Sequence, residues 1–154
     1  MTWTHTLIGT VVFAGVLHTS VASAQGPSCT ISATSVNFGN YNVFAGAALD
    51  STGTISYRCN AAAANITIAL SRGTSSTYTP RTMALSGEIM NYNLYTNAAR
   101  TTIWGDGTGG TAVHFQGNPP NNSNVNVTIF GRIPAGQDVR AGSFTDTISA
   151  TINF

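Results

Sequence analysis

Hydrophobic and polar positions alternate with period two in one segment after another. The clearest case is residues 144–154, where Phe144, Ile148, Ala150, Ile152 and Phe154 share one face. Thr145, Thr147, Ser149, Thr151 and Asn153 share the other, which is the pattern of a half-buried β-strand. Asp146 is the one charge on its apolar side. Residues 52–59 set Ile55, Tyr57 and Cys59 against Thr54, Ser56 and Arg58, and residues 65–71 turn Ile66, Ile68 and Leu70 inward. In residues 90–96, Met90, Tyr92 and Leu94 oppose Asn91, Asn93 and Tyr95. Residues 125–133 align Val125, Val127 and Ile129 ahead of Gly131, where a bulge or bend is expected. Residues 29–36 are rich in Thr, Ser and Ile, and residues 80–85 fit a short edge strand after Pro80.

Turn-forming strings separate these runs: Asn37-Phe-Gly-Asn-Tyr41, Arg72-Gly-Thr-Ser-Ser76 and Pro134-Ala-Gly136. Residues 61–64 are too short an alanine run to nucleate a helix, and no other window carries a helical period. Short strands at this spacing predict an all-β sandwich. Residues 105–124, rich in Gly, Thr and Asn, read as one long loop. No turn or return strand follows residues 144–154 in the sequence. A strand covering that edge is therefore expected from elsewhere in the chain or from another molecule.

Composition adds a compartment to this picture. Residues 7–17 form an apolar core of signal-peptide length, shorter than the roughly 20 residues of a membrane span. Ala22-Ser-Ala24 supplies a small-x-small cleavage site, so residues 1–24 are predicted to be a signal peptide and 25–154 one exported domain with no transmembrane segment. The leading residues 1–6 lack the usual Lys or Arg. Charged residues make up 7% of the chain, against about 25% in ordinary soluble domains. There is no Lys, and six Arg nearly balance five acids, so no basic patch exists for nucleic acid. In an oxidising compartment, the even pair Cys29 and Cys59 reads as a disulfide.

Catalytic chemistry has little to work with. Beyond the signal segment His114 is the only histidine, with no nucleophile elbow around any Ser, so no enzymatic activity is expected. The Gly-rich residues 105–110 lack the Lys-Ser/Thr of a phosphate loop. Asp106 alone is too few carboxylates for Ca²⁺, and neither metal nor cofactor is expected. Trp104 and Phe115, beside the long loop, are candidates for an adhesive apolar tip. The favoured reading makes such aromatics lids over the ends of the sandwich core.

Several strings coincide in a way that points to one family: Cys29-Thr-Ile-Ser-Ala-Thr34, Asn37-Phe-Gly-Asn-Tyr41 and Tyr57-Arg-Cys59 open the domain. The run from Asn91-Tyr-Asn-Leu-Tyr-Thr96 to Trp104-Gly-Asp-Gly-Thr-Gly-Gly110 follows, then Phe130-Gly-Arg-Ile-Pro-Ala-Gly136 and residues 142–154. Taken together they resemble the spore coat protein U domain family, whose members include subunits of archaic chaperone–usher pili. The resemblance implies an immunoglobulin-like β-sandwich that is incomplete, lacking its final strand. It implies export through the periplasm to the cell surface, with roles in adhesion and biofilm. A periplasmic chaperone supplies the missing strand first, and a neighbouring subunit replaces it at the outer-membrane usher. On this sequence Ile148, Ala150, Ile152 and Phe154 would line the acceptor groove, and Cys29 and Cys59 fall at the family's disulfide positions. One departure stands out: cleavage after Ala24 leaves only Gln25-Gly-Pro-Ser28 ahead of Cys29. Four residues span roughly 13 Å, too little for a donor strand, so a terminal subunit is expected. The alternative is a self-complete coat or cell-surface binding domain that does not polymerise.

Overall fold

The period-two segments become strands of two antiparallel sheets that share one core. The computed structural model describes residues 26–61, 63 and 65–154, so the predicted signal peptide lies outside the described residues. The strands are β1 (Cys29–Thr34), β2 (Leu49–Cys59), β3 (Asn65–Leu70), β4 (Arg81–Leu85), β5 (Glu88–Tyr95), β6 (His114–Gly117), β7 (Val125–Ile133) and β8 (Ala150–Asn153). One sheet has the order β1-β2-β7-β5-β4 and the other β6-β3-β8. No helix occurs among the described residues. Alternation places Ile55 and Tyr57 of β2, Ile66, Ile68 and Leu70 of β3, and Tyr92 and Leu94 of β5 in the core. Cys29 and Cys59 lie directly opposite in the β1–β2 register and form the expected disulfide, with Cα atoms 4.1 Å apart.

Three local expectations change. Residues 144–154 are not one continuous strand, because ladder pairing is confined to β8. Upstream, Thr145 forms an isolated bridge, exchanging backbone bonds with Ala84 at the edge of the other sheet. Ser71 N donates to Ser149 O at 2.9 Å, so this segment is tied at points rather than along a ladder. Gly131 is not a bulge: β7 runs through it, paired to Ser51 and Leu94. Its missing side chain makes room instead, since a Cβ there would lie 2.7 Å from both Phe38 Cζ and Val36 Cγ1. The long Gly-rich loop contains a strand of its own, β6, paired to β3 through residues 65–68. Its four residues are too few to show a period.

The end of the sandwich near residues 71–81 and 104 is sealed by one buried cation. Arg81, with no exposed surface, donates to Ser71 O (3.1 and 2.9 Å), Trp104 O (2.7 Å) and Asn93 Oδ1 (2.8 Å). The Tyr78 ring covers it, with the guanidinium carbon 5.0 Å from the ring centroid. Hydrogen bonds to carbonyls and an aromatic face are what make such a burial tolerable.

Candidate functional site, an apolar cleft beside the terminal segment

Between residues 33–38, which leave β1, and residues 144–150, which enter β8, the two sheets stay apart. The gap holds a cavity of about 480 Å³. Its floor is the core itself, including Ile55, Leu70, Leu94 and Ile129. Ala33, Val36 and Phe38 form one wall, and Phe144, Ile148 and Ala150 the other. A wider cavity of about 710 Å³ continues from it, sharing Val36, Phe38, Met83 and Phe144 and reaching Tyr41, Val43 and Phe44. Among the described residues β8 pairs with β3 alone, so its other edge borders the cleft side without a ladder.

The wall formed by residues 33–38 is set by two strand glycines. Gly53 in β2 and Gly131 in β7 each have no space for a Cβ because Val36 occupies it, together with Thr34 O at Gly53 and Phe38 at Gly131. The segment thus lies in a furrow on the five-stranded sheet. Phe38 also packs edge-on against Tyr92, with ring centroids 6.1 Å apart.

The opposite wall carries one polar device. Asp146 accepts four hydrogen bonds: from Tyr92 Oη at 2.7 Å, Thr74 N at 2.9 Å, Thr74 Oγ1 at 3.1 Å and Thr147 N at 2.8 Å. Burial, and then the adjacent carboxylate, push the Tyr92 hydroxyl far above its ordinary value of 10.0. Tyr92 therefore remains a proton donor to Asp146 throughout the accessible pH range.

The sequence-nominated residues divide. Ile148 and Ala150 line the cavity. Ile152 packs against the core opposite Ile68 and takes no part in the cavity lining, while Phe154 lies beyond β8 and is 52% exposed. The cleft therefore sits towards the start of the terminal segment, near Phe144, and the facing wall at Ala33, Val36 and Phe38 is what the sequence alone did not indicate. The adhesive-tip nomination needs correction at Trp104, which is 0% exposed. Its indole Nε1 donates to Ile68 O at 2.8 Å, and its ring lies 5.8 Å from that of His114. A large ring with one donor gains most by this buried position. Phe115 is 61% exposed on β6, so the two do not form one apolar tip. His114 Nε2 is buried without a partner, and burial holds the imidazole pKa below its ordinary value of 6.5. No group of three or more metal-ligating side chains occurs among the described residues.

Comparison with known proteins agrees with this architecture. The Spore Coat Protein U domain family matches residues 16–151. "Protein U" of Myxococcus xanthus is 34% identical over a 132-residue alignment covering 77% of this chain and 71% of the relative. Among solved structures, the fold is similar to a chain in the CsuC–CsuE chaperone–tip adhesion subunit pre-assembly complex from the archaic chaperone–usher Csu pili of Acinetobacter baumannii. The TM-score is 0.60 at 22% identity, over 83% of this chain. This chain spans 40% of the length of that one, and the likeness is one of fold. Immunoglobulin-like, all-β and disulfide-linked, the chain belongs to the Spore Coat Protein U domain family.

Proposed function

We propose that this protein is a non-enzymatic surface subunit that accepts a β-strand from another polypeptide, as a member of an archaic chaperone–usher pilus. The cleft is the observation that carries this reading. Here an open, largely apolar cleft of about 480 Å³ leaves core side chains such as Ile55, Leu70 and Leu94 lining a solvent-accessible groove. An unpaired strand edge borders it. Strand addition answers both features at once: main-chain bonds extend the sheet from β8, and alternate side chains fill the cavity. Residues 144–150 would run about 20 Å if extended, the length of an ordinary strand.

Family membership supports the reading, as does a fold shared with a chain of a chaperone–tip adhesion subunit complex. The partners in this scheme are a periplasmic chaperone, then a neighbouring subunit, with assembly at an outer-membrane usher. With cleavage after Ala24, Gln25-Gly-Pro-Ser28 is too short to complement another subunit, which favours a terminal, adhesive position. Co-expression with the cognate chaperone should yield a soluble equimolar complex, while the protein alone is only marginally stable and prone to aggregation and degradation. A monomer purified without chaperone that is as stable as the complex would overturn the proposal. That outcome would favour a self-complete secreted coat or cell-surface binding domain.

A further inference from the structure

Resting on that strand-accepting reading, we propose that Asp146 determines which strand the cleft takes. The entering strand carries a small or hydroxyl-bearing residue against Asp146, flanked by aliphatic residues against Phe144 and Ile148. Asp146 lies two positions from each of these wall residues and lines the same cavity. A strand added alongside therefore meets Phe144, Asp146 and Ile148 with successive side chains of one face.

The carboxylate has no room to withdraw. Its four hydrogen bonds come from Tyr92 on the core side and from Thr74 and Thr147 beside it. Gly73, at φ +68°, closes the remaining side, because a Cβ there would run into the Asp146 carboxylate. Asp146 is half-buried and lines the cleft. A bulky apolar side chain placed there removes water from an ionised group and replaces it with nothing. A hydroxyl supplies one more donor, and a small residue leaves space for a bridging water. The wall thus presents apolar, charged and apolar positions in sequence, a pattern that rejects a uniformly aliphatic donor.

The test refolds the full exported protein in the presence of synthetic strand peptides of about ten residues, the upper end of common strand lengths. The peptides alternate Val with Thr and carry Ser, Thr, Leu or Phe at the central inward position. The readouts are peptide affinity and the yield of folded complex. Ser and Thr peptides should bind at least about tenfold more tightly than Leu and Phe peptides. Asp146→Leu should reverse that order. Asp146→Asn keeps the shape but removes the charge, and should narrow the preference to within about threefold. A preference that survives in Asp146→Asn assigns the discrimination to shape and overturns the inference, as does equal binding of all four peptides. Should Asp146→Leu fail to fold, Asp146→Asn decides alone. If no peptide binds, the strand-accepting reading falls, and this inference with it.

Discussion

The region around Trp104 and the region around Phe144 are built from the same kinds of residue and end in opposite states. At Trp104, the indole is buried, its donor satisfied by Ile68 O, and the Arg81 guanidinium ties Ser71, Asn93 and Trp104 together. At Phe144, equally apolar walls stand apart over a cavity that reaches the core. Edge position alone does not account for the difference, because among the described residues β4 and β6 at the sealed end have one neighbour each, as β8 does. The sealed edges are bridged by Arg81, Tyr78 and the Trp104 indole, whereas among the described residues no such side chains cross between the walls at Phe144. Sealing a sandwich therefore depends on groups that span the edge, and apolar content alone does not achieve it.

The strongest challenge to the sealed region is Trp104→Ala, expected to cost about 3–5 kcal/mol in urea unfolding of the strand-filled protein. A loss below about 1 kcal/mol would mean that this end is as loosely packed as the other. Removing the disulfide by Cys29→Ser with Cys59→Ser should cost about 3–4 kcal/mol, given a sequence separation of 30 residues. That loss acts on the unfolded chain, so it should be alike in strand-free and strand-filled protein. Ile148→Ala sharpens the contrast from the open side. It should cost about 2 kcal/mol or more when a strand fills the cleft, and less than about 1 kcal/mol without one. Equal costs in the two forms would erase the distinction between the regions.

The smallest effect is a pH dependence centred on His114. Burial lowers its folded pKa, so between that value and 6.5 the unfolded chain binds more protons. Stability contributed by the neutral imidazole is fully present above pH 6.5 and is lost as pH falls through the folded value. His114→Gln should flatten that part of a stability profile measured from about pH 7.5 down to pH 5. An unchanged slope would place the titrating group elsewhere.

Much of this fold was legible because burial on one face writes period two into β2, β3, β5 and β7. The disulfide was legible from compartment and cysteine count. The cleft was half legible. Ile148 and Ala150 stand in clear alternation, but the facing wall at Val36 and Phe38 lies about a hundred residues away, in an irregular segment with no period. Gly53 and Gly131 were the available signal, since a glycine inside a strand often marks close approach by another segment. The burial of Trp104 fits the lid reading rather than the tip, and its depth was not legible because it depends on a carbonyl of β3 far away in sequence. Asp146 breaks the terminal alternation for the same reason: its partners Thr74 and Tyr92 lie on other segments.

The central claim concerns the free edge of the terminal segment, and hydrogen exchange reads that edge residue by residue. Amides of residues 144–153 that bond neither β3 nor another partner, which leaves out Thr145, Thr147 and Ser149, should exchange quickly in the uncomplemented protein. They should become protected, together with amides of residues 33–38, once a chaperone or donor peptide is bound. Strong protection of these amides in the isolated protein, unchanged by any added strand, would contradict the account.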